Sequence, residues 1–200
     1  MEPTVIFRDF EERDIDFIYR CKNDEKLNSM IVGQYHPFTY EEATEWVHGC
    51  MGEHETYKFW AIATNDDEKR IVGWVSISEI DKVNNSAFFH SIVIGNDRYR
   101  GFAWIYAHLF VFDYVFHILN MHRLAGACLA EHKQSRAIAI ALGYTEEGIK
   151  REASKKNGKY HDVYVQSLLK DEYEKLLLDG EYAVPSIIRR LRIVTHGKQN

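Results

Sequence analysis

The chain is short of several things. It has only three cysteines in 200 residues: Cys21, Cys50 and Cys128 lie far apart with no Cys-x-x-Cys pair, which argues against a disulfide framework or a cysteine-based zinc site. Its ten histidines show no His-Glu-x-x-His or comparable ligand spacing, so no metal is expected. It lacks a surplus of positive charge. The 25 Lys and Arg against 30 Asp and Glu give −5, the wrong sign for a general nucleic-acid binder that must neutralise phosphates. A long apolar run is also missing: the stretch near 102–119 is interrupted by His108, Asp113 and His117, so no membrane span is expected. Met-Glu-Pro-Thr at the start has neither a basic nor an apolar signal region, and a cytoplasmic location is the expectation. No internal repeat or low-complexity segment is visible.

What is present is core-forming material. Hydrophobic residues make up 46% and aromatic ones 14% of the chain, enough to bury a substantial interior. At ~150 residues per domain, the length suits one domain plus an addition. Thr4–Phe7 reads as a strand and Ile15–Cys21 as amphipathic. Thr39-Tyr40-Glu41-Glu42 is a capping box, with Pro37 blocking helix upstream, and the helix should reach Met51. Tyr57–Thr64, Arg70–Ile80 and Ser86–Ile94 form a meander separated by Asn- and Asp-rich turns. A long apolar helix is expected from Gly101 through Leu119. Arg123–Leu129 is strand-like, and Ser135–Leu142 is a short helix closed by Gly143. Tyr144–Ala153 and Tyr160–Leu169 make a hairpin, with Asn157-Gly158 supplying a type I′ turn. Lys170–Leu178 is a last helix. The remaining 179–200 stretch carries Arg189, Arg190 and Arg192, shows no strong periodicity and reads as an extension.

One joint carries chemistry. At Arg98-Tyr99-Arg100-Gly101-Phe102-Ala103, the third meander strand turns into the long helix. A helix start presents unpaired N–H groups and partial positive charge, which suit a phosphate ester. Gly101 and Ala103 are small enough for close approach, and Arg98 or Arg100 would add charge or simply decorate the surface.

The pattern Arg/Gln-x-x-Gly-x-Gly/Ala in this setting resembles motif A of the GNAT superfamily of acyl-CoA N-acyltransferases. Further pieces are similar, in order, to its subgroup of ribosomal-protein N-terminal, spermidine and related acetyltransferases. They are Ile71-Val72-Gly73-Trp74, Met121-His122-Arg123-Leu124, Leu142-Gly143-Tyr144 with Glu147-Gly148 and Arg151, Gly158-Lys159-Tyr160-His161-Asp162, and Leu168–Tyr173. The resemblance spans roughly residues 4–173. It implies a mixed α+β fold, a central, mostly antiparallel, splayed sheet flanked by helices, as one domain over 1–178 with an extension over 179–200. It implies acetyl-CoA as cosubstrate, its pantetheine along Ile92, Val93 and Ile94 and its pyrophosphate on Arg98, Arg100, Gly101, Phe102, Ala103 and Trp104.

Two positions depart from the family pattern. His132 stands where an Asn usually helps hold pantetheine, and Ala139 where a Tyr usually protonates the departing thiolate. The third meander strand also lacks the glutamate that many members use as a base. His90 is its nearest titratable group, either a proton acceptor suited to neutral pH or an ordinary strand histidine. Ser135 either bonds the thioester region or caps its helix. Cys128 reads as core. The acceptor would be a peptide N-terminus, a polyamine, an aminoglycoside or an amino sugar. Deprotonating an amine of pKa ~10.4 at neutral pH costs about 4.6 kcal/mol, against about 1 kcal/mol for an α-amine, so an α-amine needs only a weak base. The rival reading is a degenerate domain of this family that binds acyl-CoA or a partner without catalysis. The basic tail would contact a second copy in a homodimer, contact an acidic substrate, or stay solvated.

Overall fold

The Thr39 hydroxyl accepts the Glu42 amide at 3.1 Å while the Glu42 carboxylate accepts the Thr39 amide at 2.7 Å. This reciprocal pairing starts a helix at Tyr40, as the sequence implies. The computed structural model describes residues 5–196; Thr4 of the expected first strand and the last four residues of the tail lie outside them. The strands are β1 (Val5–Arg8), β2 (Lys58–Thr64), β3 (Ile71–Asp81), β4 (Ser86–Ile94), β5 (Arg123–Leu129), β6 (Thr145–Lys156) and β7 (Lys159–Leu169). The helices are α1 (Ile15–Lys22), α2 (Glu25–Asn28), α3 (Tyr40–Cys50), α4 (Asp97–Arg100), α5 (Ala103–Asp113), α6 (Lys133–Ala141), α7 (Lys170–Leu178) and α8 (Val184–His196). The architecture is mixed α+β, and β1–β2, β2–β3, β5–β7 and β6–β7 all pair antiparallel. Two compact units are formed.

The first unit comprises the chain up to Ser29, Tyr35–Ile80 and Phe89–Val111. Its strands lie in the order β1-β2-β3-β4. Alternation along β2 sends Trp60 and Ala61 to opposite faces. On Ala61's side, α1 and α3 supply Ile18, Cys21, Val47 and Cys50 to a core shared with Trp74 of β3. On the other side α5 packs through Phe110, stacked on Phe7 at 4.2 Å and edge-on to Trp60 at 5.1 Å. Arg8 clamps the fully buried Asp14 with two bonds of 2.7 and 2.8 Å.

The second unit comprises Met30–Gln34, Asp81–Phe88 and the chain from Phe112, with strand order β5-β7-β6. Asn157 and Gly158 take φ +48° and +79°, the conformation that a type I′ hairpin turn requires. The segment Met30–Gln34 is tied to this hairpin: Gly33 N–H donates to Ser154 Oγ, and Lys156 Nζ donates to the Ile31 carbonyl.

Two expectations needed correction. The helix expected to run unbroken to Leu119 leaves α geometry at Asp113 for a π-turn over Tyr114–Ile118, closed by Leu119 N–H to the Tyr114 carbonyl at 2.8 Å. The wider turn keeps Phe112, Val115 and Phe116 all fully buried, and Phe116 stacks on Tyr173 at 4.8 Å. The tail, read as lacking periodicity, forms α8. Its inner face is Val184, Ile187, Ile188, Leu191 and Val194, a 3–4 spacing that is helical. Ile187 is fully buried, and Tyr182 Oη donates to the Leu142 carbonyl at 3.0 Å. Arg189 and Arg190 are held within the chain by Glu181.

Candidate active site

In the first unit, β4 runs into the turn expected from the sequence to hold a phosphate. At its end, Gly95 and Asn96 N–H groups both donate to the Val72 carbonyl, at 3.0 and 3.2 Å. Asn96 Oδ1 then accepts the Arg98 amide at 3.0 Å and starts α4. Two glycines permit this close packing. A Cβ at Gly73 would strike the Val93 carbonyl, and one at Gly95 would strike Cys21 Sγ and the Phe17 ring. Gly101 differs, because a Cβ there meets nothing within 4 Å. Its backbone faces open space, which leaves room for a ligand at the turn.

The expected ligand-holding residues divide by burial. Arg98, Arg100 and Gly101 are exposed, Ile92, Phe102 and Trp104 are half-buried, and Val93, Ile94 and Ala103 are buried. Ala103 is thus a packing position rather than part of the exposed surface. Trp104 Nε1 donates to the Gly101 carbonyl at 3.2 Å and steadies the turn. Arg100 pairs with Asp97 at 2.7 Å. Beside the turn opens a cavity of about 690 Å³, lined in part by Arg20 and Asp24 of the α1–α2 region, Arg70, and the turn's Arg98 and Arg100. Arg20 and Arg70 were not singled out by sequence, since neither belongs to a motif and only folding brings them to the cavity beside the turn.

His90 stands on the exposed side of β4, with Nδ1 facing Ser78 Oγ at 3.5 Å and its ring edge-on to Phe59 at 6.1 Å. Partial desolvation of the ring and the Lys22 ammonium both lower its pKa, and Glu79 opposes them. The imidazole is therefore neutral at physiological pH and able to accept a proton. Lys22 and Trp46 were not singled out by sequence, and Trp74 was noted only within the Ile71–Trp74 segment. The signal at Lys22 is a lysine beside the apolar residues of α1.

His132 and Ser135 belong to the second unit. His132 Nδ1 accepts the Ser135 amide at 3.1 Å, so His132 rather than Ser135 caps α6. Burial pushes the Cys128 thiol up and the Ser135 side chain opposes that shift, and Cys128 is buried. Ala139 is buried within α6. Among the described residues, no group of three or more His, Cys, Asp or Glu could hold a metal ion. None of their helices is long and apolar enough to cross a membrane.

Comparison with known proteins gives a consistent picture. A family model described as "Acetyltransferase (GNAT) domain" matches residues 4–145. Spermidine N(1)-acetyltransferase of Vibrio cholerae is 25% identical over 173 residues, covering 86% of this chain and 97% of the relative. The uncharacterized N-acetyltransferase p20 of Bacillus licheniformis is 26% identical over 173 residues, covering 84% and 94%. Among solved structures, spermidine N-acetyltransferase from Vibrio cholerae, crystallised with CoA and spermine, superposes with a TM-score of 0.71 at 24% identity. That match covers 85% of this chain and 98% of the other. At that identity the likeness speaks for the fold.

Proposed function

The chain belongs to the GNAT acetyltransferase family, and from that premise we propose that it acetylates a primary amine by direct attack on the thioester in a ternary complex, with His90 receiving the proton. Acetyl-CoA, the donor that GNAT acetyltransferases use, supplies an activated acetyl group. Arg98, Arg100 and the backbone at Gly101 would hold its pyrophosphate, and the backbone of Ile92–Ile94 its pantetheine. The open space over Gly101 fits this assignment. Holding both substrates at once replaces a bimolecular encounter with a positioned one.

The observation that carries the reading is His90: an exposed imidazole on β4, kept neutral by its surroundings. Because its pKa is lowered, its basic form persists to lower pH than that of an ordinary histidine. It is a modest base, matched to an α-amine, whose deprotonation costs only about 1 kcal/mol at neutral pH. His132, which accepts the Ser135 amide at the start of α6, and Ser135 are assigned no step. The test is His90→Gln, with kcat/KM for a peptide α-amine measured against pH. The acid limb set by His90 is expected to disappear and the plateau to fall about a hundredfold. An unchanged profile removes His90 from the reaction.

A further inference from the structure

Lys22 closes α1 with its ammonium turned inward over three aromatic rings. Nζ lies 4.4 Å from the centroid of Trp46, 5.1 Å from Phe38 and 5.4 Å from Trp74. Such rings attract a cation through their negative faces but do not cancel its charge. No carboxylate lies within ion-pair distance of Lys22 among the described residues. The groups that favour its charged form are the thiols of Cys21 and Cys50, both buried and protonated. Lys22 is therefore a half-buried positive charge without a counter-ion, and charges so placed are rarely left unpaired.

The same charge acts on the proposed base. Trp46 meets Phe59 edge-on at 5.4 Å, and Phe59 meets His90 at 6.1 Å, so Lys22 and His90 bracket one aromatic row in the first unit. Among the described residues, Lys22 and Glu79 act on the charge of His90 in opposite senses.

We propose that Lys22 is a specificity-determining residue for the acceptor: it pairs with an anionic group, a carboxylate near the reacting amine, and disfavours acceptors that bring a second ammonium. This deepens the reading of His90 as the site of proton transfer and rests on it for where the amine lies. Of the acceptor classes named above, an acidic peptide N-terminus fits this charge, whereas a polyamine brings a second cation to a wall that already holds one.

The test compares two peptides of equal length with the same first residue, one carrying glutamates and the other lysines at the next three positions. Equilibrium binding by calorimetry, in the presence of CoA, is measured alongside kcat/KM. The intact chain is expected to favour the acidic peptide about tenfold by both measures. Lys22→Met keeps the apolar stem among the rings and should abolish the preference. Lys22→Glu should invert it, and Lys22→Arg should restore it. A preference that is absent in the intact chain, or unchanged in Lys22→Met and Lys22→Glu proteins whose melting shows them folded, overturns the proposal. Binding separates this inference from the catalytic one. If His90→Gln leaves the pH profile intact while Lys22→Met still abolishes the peptide preference, the base assignment fails and the role of Lys22 stands. If the binding preference ignores Lys22 while His90→Gln removes the acid limb, the reverse holds.

Discussion

Acid should weaken the first unit through one buried ring. His108 lies inside α5, with Nδ1–H donating to the Trp104 carbonyl at 2.7 Å and its ring stacked on Phe89 at 4.5 Å. Complete burial drives its pKa down from 6.5 to about 4. The unfolded chain thus binds this proton more tightly than the folded one, and falling pH favours unfolding. The contribution is whole above the unfolded pKa and is lost progressively as pH falls toward the folded one. Between about pH 7 and about pH 4.5 the linkage amounts to roughly 2 kcal/mol, a large share of a typical domain's stability. His108→Phe keeps a stacked ring and removes the titration. Urea unfolding followed by tryptophan fluorescence is a suitable assay, because all four tryptophans lie in the first unit. Carboxylates titrate in both proteins and cancel in the difference. Wild type should lose roughly 2 kcal/mol more than the variant over that interval. A difference between the two proteins that is the same at every pH would refute the argument.

Two further outcomes follow from charges elsewhere. Arg8→Met strands the buried Asp14 carboxylate, which is held by two bonds from Arg8. Urea unfolding should show a loss of about 3–5 kcal/mol, much of it recovered in the Arg8→Met/Asp14→Asn double variant. Replacing both Arg98 and Arg100 by alanine should raise the Kd for CoA about tenfold in calorimetry, with a weaker dependence on salt than in wild type. An unchanged Kd would place the pyrophosphate elsewhere.

Local chemistry made much of the chain legible. The capping box at Thr39 and Glu42, the Asn157-Gly158 turn and the run Ser86–Ile94 depend on neighbours in sequence, and the structure places each where short-range rules put it. The motif from Arg98 to Ala103 likewise marked the turn after β4. Helix α8 was readable too, since Val184, Ile187, Ile188, Leu191 and Val194 have helical spacing, but the arginines between them masked it.

What sequence could not supply are properties that arise only when distant segments meet. Nothing in the letters around His108 says that its ring will be sealed beneath Phe89, yet that burial sets its charge. Gly73 and Gly95 look like ordinary strand and turn glycines until the Val93 carbonyl and Cys21 Sγ are seen to occupy the space a Cβ would need. Lys22 is one lysine among many until Phe38, Trp46 and Trp74, from three separate segments, enclose its ammonium without a carboxylate. Sequence by itself marked most of the elements and the turn after β4, because caps, turns and strand alternation are recorded in local spacing. Tertiary structure decided which charges are buried and what they face, because desolvation and Coulomb energy depend on distances through space rather than along the chain.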